Sequence, residues 1–224
     1  MAQYEIEIKS LLGSKEEAEK LKTKLAIKGA NMTTVKKSQQ LNHYFTYSDL
    51  KVFYEKLLPY INTDHQSLFT KLITQGKNFS IRTRQSGNKV SLVIKASLDD
   101  QSSANGVSRM EFESEVVLSL EALDQLLLDS GLQYQAKWSR DREEYSVGDI
   151  SVCIDKNAGY GYIAEFERVV DDQSKVDEVK QELLNFMAEC EVSELEQSRL
   201  ERMFSYYNEH WSEYYGSDNT FTVL

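Results

Sequence analysis

The sequence predicts an α+β fold in which eight antiparallel strands form a closed β-barrel and helices pack on its outside. Segments that alternate apolar and polar residues with period two recur along the chain, and several are joined by turn signals such as Ser86-Gly87-Asn88 and Gly148-Asp149. Amphipathic segments with helical spacing lie between and after them. Only one proline, Pro59, and no Gly/Ser-rich stretch occur in the 224 residues, which argues against flexible linkers between domains.

The eight predicted strands follow from period-two patterns that end at turn residues. Their hairpin connections, among them the turn signal Ser103-Ala104-Asn105-Gly106, favour antiparallel pairing and suit a barrel. The strands are predicted over residues 3–11, 40–47, 78–86, 89–97, 107–118, 136–147, 149–156 and 161–170.

Four helices are predicted outside one insertion. Two of them begin with capping-box patterns, Ser14-Lys15-Glu16-Glu17 and Ser193-Glu194-Leu195-Glu196. The other two have leucine- and valine-rich stripes at helical spacing. The four helices are predicted over residues 14–29, 119–130, 174–190 and 193–216.

Residues 51–77 interrupt this plan of strands and helices. Their pattern predicts two short amphipathic helices broken at Pro59. We interpret the segment as an insertion packed on the barrel, with an active-site lid or a dimer contact as the alternatives. Residues 1–216 are expected to form a single domain, and residues 217–224 a flexible tail.

Composition limits the class of protein. The net charge is −10 and the pI is near 4.9, which argues against a non-specific nucleic-acid binder but not against a site for a small anion. Two cysteines, Cys153 and Cys190, suggest no disulfide framework. The first ten residues have no apolar signal region, and no apolar stretch approaches the length that spans a bilayer. We therefore expect a cytoplasmic protein without a membrane partner.

Charged side chains recur on one face of the predicted strands. Glu5, Glu7 and Lys9 share one face of the first strand, and Ile6 and Ile8 occupy the other. A single pattern of this kind is typical of an amphipathic strand with its polar face in water. The helices, however, have apolar stripes that need an apolar sheet face to cover. If the apolar strand faces pack under the helices, the charged faces converge on the barrel interior.

The interior predicted in this way contains both basic and acidic side chains. Burying so many ions is costly unless they pair, bind an ion or hold water, so a polar lumen is expected to be a binding site. The predicted basic lining consists of Lys9, Arg82, Arg84, Lys95, Arg140 and Arg142, with Arg109 left open. The predicted acidic lining consists of Glu5, Glu7, Glu111, Glu113, Asp155, Glu165 and Glu167.

This mixture of charges indicates the chemistry of the ligand. Arginine and lysine bind phosphate oxygens, and arginine can hold two at once. Clustered carboxylates suit hard divalent cations such as Mg²⁺ or Mn²⁺. A ligand that needs both kinds of group is a metal-complexed polyphosphate.

Several motifs occur in a fixed order along the chain. They begin with Glu5-Ile6-Glu7-Ile8-Lys9 and end with the turn Asp155-Lys156-Asn157-Ala158-Gly159-Tyr160-Gly161 and the strand Glu165-Phe166-Glu167. Between them lie His43-Tyr44-Phe45, Arg82-Thr83-Arg84, Lys95, Glu111-Phe112-Glu113 and Arg140-Asp141-Arg142. This ordered set resembles the CYTH or triphosphate tunnel metalloenzyme superfamily. The chain departs from it at Thr46, where the family often has Asp, and in the insertion at 51–77.

The resemblance implies an eight-stranded tunnel that binds triphosphate compounds together with Mg²⁺ or Mn²⁺. We expect hydrolysis of inorganic triphosphate, thiamine triphosphate or a nucleoside triphosphate. One alternative is a class IV adenylyl cyclase, which converts ATP to cyclic AMP and pyrophosphate. Another is a module that binds polyphosphate or nucleotide without turnover. The expected partner is a small triphosphate or nucleotide rather than nucleic acid, and a homodimer is left open.

The resemblance also assigns roles to the charged residues. The six basic residues from Lys9 to Arg142 are expected to bind the phosphates. The expected catalytic residues are Asp155, Glu165 and Glu167. The expected metal ligands are Glu5, Glu7, Asp155, Glu165 and Glu167, assisted by Glu111 and Glu113. The three histidines show no metal spacing and are interpreted as structural: His43, His65 and His210.

Overall fold

The structure is a computed structural model that describes residues 4–30, 35–97 and 109–223. The described part contains eight β-strands and six α-helices, as the sequence predicts for an α+β fold. The strands are β1 (Tyr4–Gly13), β2 (Lys36–Thr46), β3 (Lys77–Ser86), β4 (Lys89–Ser97), β5 (Arg109–Glu115), β6 (Gln133–Val147), β7 (Ile150–Asn157) and β8 (Gly161–Val170). The helices are α1 (Lys15–Ile27), α2 (Lys51–Leu57), α3 (Thr63–Gln75), α4 (Leu120–Leu128), α5 (Val176–Glu189) and α6 (Gln197–Tyr214).

The eight strands form one sheet in the order β1-β8-β7-β6-β2-β3-β4-β5. Adjacent pairs such as β1 with β8 and β3 with β4 are antiparallel. Among the described residues, β1 and β5 are the two ends of this order, so the predicted closure into a barrel is wrong for that part of the chain. The predicted turn Ser103-Ala104-Asn105-Gly106 lies outside the described residues, as does the side chain of Arg109.

The segment before α6 contacts the edge of β1. Leu195 is buried, and its N–H donates a 2.7 Å hydrogen bond to the carbonyl oxygen of Lys9. The second predicted capping box is wrong. The N-cap of α6 is Glu196 instead of Ser193, and it makes no side-chain capping hydrogen bond. The predicted start of α1 is confirmed, because Ser14 is its N-cap and the Ser14 side chain accepts from the Glu17 N–H. The N–H of Ser14 donates to the carbonyl oxygen of Leu12, so the second bond of a capping box is not formed with Glu17.

The contacts divide the chain into two compact units. The first unit contains residues 4–30, 35–39 and 140–223 of the described part. Its helices α1 and α5 pack on β1 and β8. The apolar strand faces form its core, in which Ile8, Phe166 and Leu183 are at most 3% exposed. Burial of this apolar face is the main stabilising term of the unit.

The C-terminal residues of the first unit lie against the turn after β7. The N–H of Gly159 donates to the carbonyl oxygen of Asn219 at 3.0 Å, and the N–H of Phe221 donates to the carbonyl oxygen of Gly159 at 2.8 Å. The ring of Phe221 packs against Tyr160, and both rings lie near Tyr207 of α6. Residues beyond Gly216 therefore contribute to the packing around this turn.

The second unit contains residues 40–97 and 109–139 of the described part. Residues 51–77 form α2, a short 3₁₀ turn with Pro59, and α3. Phe53 and Phe69 of these helices are fully buried in one cluster with Ile94 and Phe112 of the sheet. The insertion is thus part of the core of this unit. In the part of the chain that the structure describes, no helix is long and apolar enough to cross a membrane.

Candidate functional site

Four neighbouring strands of the first unit bring acidic and basic side chains to one face. In the ladder between β1 and β8, Glu7 lies opposite Glu167, and Lys9 lies opposite Glu165. Lys9 Nζ lies 3.2 Å from Glu165 Oε1 and also contacts the Glu7 carboxylate. Glu5 lies on the same face, two residues before Glu7. The sequence prediction that these side chains share a face is therefore consistent with the register.

Asp155 is the most buried member of this face, at 1% exposure. Its carboxylate accepts from Arg140 Nη1 at 2.9 Å, from Arg142 Nε at 2.7 Å and from Arg142 Nη2 at 2.6 Å. Arg142 Nη2 also contacts the Glu165 carboxylate. The bidentate geometry fixes the plane of the Arg142 guanidinium group. Asp155 thus orients two basic side chains that the sequence assigns to phosphate binding.

The charges around Glu165 decide its ionisation state. Burial by itself would raise the pKa of Glu165, but the positive charges of Lys9, Arg142 and Arg140 outweigh it and hold that pKa well below its usual range. Glu165 is therefore an anion at neutral pH. It can accept hydrogen bonds or contact a cation, but it cannot donate a proton as a general acid.

Cys153 lies next to this charged face. No role in the site was assigned to Cys153 from the sequence. It lies two residues before Asp155 and opposite Glu165 in the ladder. Burial raises the pKa of its thiol to about 12, and the nearby carboxylates add to this effect. The thiol is neutral at physiological pH, so the structure gives no support to a cysteine nucleophile here.

The second unit has its own set of charged side chains. Arg84 Nη1 donates to Glu113 Oε2 at 2.9 Å, and Lys95 Nζ lies 3.2 Å from Glu111 Oε2. Arg82 donates to the hydroxyl of Tyr44 and also lies over its ring. In this set the predicted basic residues outnumber the predicted acidic ones, whereas the opposite holds in the first unit.

Two partners of the arginines in the second unit were not assigned to the site from the sequence. Arg84 Nε donates to Asn42 Oδ1 at 3.2 Å, and Tyr44 is the hydrogen-bond acceptor for Arg82. Asn42 and Tyr44 are two residues apart in β2, so the period-two pattern could have placed both on the charged face. Phe45 instead packs in the core of this unit.

The donor chemistry of the first unit fits a hard divalent cation. The opposed carboxylates of Glu7 and Glu167 place like charges on neighbouring strands, and a cation stabilises such a pair. Over residues 4–30, 35–97 and 109–223, no three acidic, His or Cys side chains form a cage for a metal ion. Mg²⁺ commonly uses one or two protein carboxylates, with substrate phosphates supplying further ligands. The carboxylates of the first unit are of the type that supplies one or two ligands to such an ion.

Comparison with known proteins identifies the family of this chain and several structures with a similar fold. The CYTH domain family matches residues 60–199. A conserved hypothetical protein from Pyrococcus furiosus has a similar structure, with a TM-score of 0.60 and 18% identity over 87% of this chain and 93% of that chain. A protein from Vibrio parahaemolyticus described as a candidate adenylate cyclase has a TM-score of 0.60 and 14% identity over 92% of this chain and 99% of that chain.

A third similar structure comes from Hippeastrum. It is described as a candidate adenylyl cyclase with a dominant triphosphatase activity. Its TM-score is 0.51, with 14% identity over 91% of this chain and 95% of that chain. A search of curated protein sequences found no match to this chain.

Proposed function

Because the chain belongs to the CYTH domain family, we propose that it hydrolyses a triphosphate compound with the help of Mg²⁺ or Mn²⁺. The observation that supports this proposal most directly is the pairing of Asp155 with Arg140 and Arg142. Two guanidinium groups held in a fixed orientation are suited to phosphate oxygens. The triphosphatase activity named for the Hippeastrum protein is extended to this chain only as part of the proposal.

The proposed function assigns a role to each of the two sets of charged residues. The base-rich set of the second unit, Arg82, Arg84 and Lys95, would bind phosphate oxygens. In the first unit, Lys9, Arg140 and Arg142 would do the same. The residues proposed as metal ligands are Glu5, Glu7, Asp155, Glu165 and Glu167, assisted by Glu111 and Glu113. One or two of these carboxylates would contact the ion, and the substrate phosphates would supply further ligands. When bound, the metal would polarise phosphate oxygens and offset the charge that develops on them.

Glu165 and Glu167 would orient the attacking water at the terminal phosphorus. Because the pKa of Glu165 is held well below its usual range, this carboxylate is available as a hydrogen-bond acceptor over the whole neutral range. The basic residues neutralise the phosphate chain and hold it in place. Phosphoryl transfer depends mostly on such positioning and charge stabilisation, so no protein nucleophile is required.

The first experiment identifies the reaction. The purified chain is incubated with inorganic triphosphate, thiamine triphosphate or ATP, each with Mg²⁺, Mn²⁺ or EDTA, and the products are separated by chromatography. We expect orthophosphate and the corresponding diphosphate with a metal, and no product with EDTA. Cyclic AMP and pyrophosphate from ATP would instead establish the cyclase alternative. Tight binding without product in any metal would establish a non-catalytic module.

The second experiment tests the role of Glu165. The Glu165→Gln variant keeps the size of the side chain but removes its charge. We expect turnover to fall by about 100-fold or more, with a smaller change in the Kd of the triphosphate. Wild-type turnover in this variant would remove Glu165 from the mechanism. Circular dichroism of the variant controls for unfolding.

A further inference from the structure

A buried carboxylate lies among the strands of the second unit. Asp124 of α4 is 3% exposed. Its Oδ1 accepts from Thr83 Oγ1 at 2.6 Å, and its Oδ2 accepts from the Tyr134 hydroxyl at 2.7 Å. The same Oδ2 lies 2.6 Å from His43 Nδ1, within a hydrogen bond. One carboxylate therefore links α4 to three strands, namely β2, β3 and β6.

Thr83 places this network next to two residues of the charged face. It lies between Arg82 and Arg84 in β3 and is fully buried. Successive side chains of a strand point to opposite faces, so the Thr83 hydroxyl points to Asp124 while both arginines point to the other side. A shift of Thr83 would move the backbone that holds both guanidinium groups.

His43 repeats this arrangement on β2. It lies opposite Thr83 in the ladder between β2 and β3. Its chain neighbours Asn42 and Tyr44 point to the charged face and are the hydrogen-bond partners of the two β3 arginines. Asp124 thus binds the cross-strand pair of His43 and Thr83 on the face opposite the charged side chains. The two neighbouring cross-strand pairs contain the arginines and their hydrogen-bond partners on the charged face.

We propose that Asp124 is a positioning residue for phosphate binding. Through Thr83 and His43 it fixes β2 against β3, and it thereby fixes the guanidinium groups of Arg82 and Arg84. The inference rests on the proposed function, in which these two arginines bind phosphate oxygens. It deepens that function by assigning a role to a residue outside the charged face.

The surroundings of Asp124 indicate a role other than stability alone. The other buried residues of α4 are the leucines Leu120, Leu123 and Leu127. A buried charge with several hydrogen bonds is often no more stabilising than an apolar residue of the same size. Its hydrogen bonds are directional, however, and they favour one arrangement of the strands over others. Precise placement of the arginines is what phosphate binding requires.

The test uses two variants that keep the size of the side chain. Asp124→Asn removes the charge of the carboxylate, and Thr83→Val removes the hydroxyl donor. Steady-state kinetics with the triphosphate that the wild-type chain hydrolyses gives KM and kcat separately. We expect KM to rise by about tenfold in each variant, with kcat changed by less than about threefold, because substrate binding loosens before chemistry does. Thr83→Ser retains the hydroxyl and is expected to restore the wild-type KM.

The matched control is Leu123→Ala, which removes a fully buried side chain of the same helix without touching the network. It is expected to lower Tm and leave KM unchanged. A wild-type KM in both Asp124→Asn and Thr83→Val, with Tm lowered as in Leu123→Ala, would show that the network serves stability only. If Asp124→Asn does not fold, Thr83→Val and Thr83→Ser decide the question.

A wild-type chain that neither binds nor hydrolyses any triphosphate would overturn the proposed function first and this inference with it.

Discussion

At the scale of single residues, Arg142 links two acidic residues of the charged face of the first unit. It binds Asp155 with two nitrogen atoms and also contacts Glu165. Burial would lower the pKa of Arg142, but the charges of Glu165 and Asp155 raise it above the ordinary value, so the guanidinium group stays charged. Replacement of Arg142 by lysine would lose the bidentate hydrogen bonds, because lysine lacks the planar pair of donors.

We expect Arg142→Lys to lower kcat/KM for the triphosphate by about 100-fold, because one ammonium group cannot hold Asp155 and a phosphate oxygen in the same orientation. Steady-state kinetics with the wild-type substrate measures the change. Arg168→Lys is the matched control: Arg168 also pairs with two carboxylates, but those of Asp149 and Glu182 are solvent-exposed. Near-wild-type kinetics in both variants would argue against a role for Arg142.

Glu143 gives a prediction for the pH dependence of stability. Burial by itself would raise its pKa, but hydrogen bonds from Tyr145, Lys22 and Lys37 bring it to about 2. A depressed carboxyl pKa stabilises the fold above the unfolded value, which is about 4.3. This stabilisation is lost as pH falls from there towards the folded value.

We therefore expect Glu143→Gln to lower the free energy of unfolding at pH 7. The difference from the wild type should shrink as pH falls from about 4.3 towards 2, since the wild-type carboxyl then becomes neutral. Denaturant titrations at several pH values measure it. A difference that stays constant down to pH 2 would mean that the charge of Glu143 contributes nothing to stability.

At the scale of elements, the turn after β7 depends on a residue without a side chain. Gly159 has a φ of 82°, a conformation that favours glycine. A Cβ at this position would lie 2.8 Å from the Tyr207 ring and 2.9 Å from the Phe221 ring. The turn, α6 and the C-terminal residues therefore pack too closely to admit a methyl group.

We expect Gly159→Ala to be destabilising by about 1–2 kcal/mol from its backbone conformation and by about 1–3 kcal/mol more from the overlap with the two rings. Gly148→Ala separates the two effects. Gly148 has a φ of 61° in the turn between β6 and β7, and nothing lies within 4 Å of a Cβ there. Denaturant unfolding of both variants measures the difference, and equal losses would mean that the aromatic rings move aside.

At the scale of the whole molecule, each compact unit contains basic residues to which the family resemblance assigns phosphate binding. Lys9 belongs to the first unit and Arg84 to the second. We expect Lys9→Ala and Arg84→Ala each to weaken binding of the same triphosphate by about tenfold, as loss of one charge-assisted hydrogen bond predicts. Calorimetric titration in the presence of metal measures both. Lys71→Ala, which removes a solvent-exposed cation of α3, is expected to leave Kd unchanged.

An unchanged Kd in one of the two site variants would have a clear meaning. If Arg84→Ala binds as the wild type does while Lys9→Ala does not, the base-rich set of the second unit is not part of the triphosphate site. The proposed role of Arg82, Arg84 and Lys95 in phosphate binding would then be wrong. The assignment of Lys9, Arg140 and Arg142 would remain.

Much of this fold could be predicted because its strands alternate so regularly. Side chains such as Glu7 and Ile8 fall on opposite faces by local geometry alone, and every predicted strand has a counterpart in the structure. The start of α6 was predicted wrongly, since a capping-box pattern does not reveal that Leu195 binds the edge of β1. Asp124 was also overlooked, although a polar residue within the leucine-rich stripe of α4 was a signal available in the sequence.

The class of fold, the periodicity of each element and the set of charged residues that share a face could all be predicted from the amino-acid sequence. These properties are local, because they follow from backbone geometry within a few residues. Which side chains contact one another depends on the tertiary structure. Asp155 pairs with two arginines, Lys9 pairs with Glu165, and Asp124 forms hydrogen bonds with residues of three strands. The tertiary structure also decided that the described strand order ends at β1 and β5 instead of closing. Such contacts depend on strand order and register between distant segments, which no local pattern specifies.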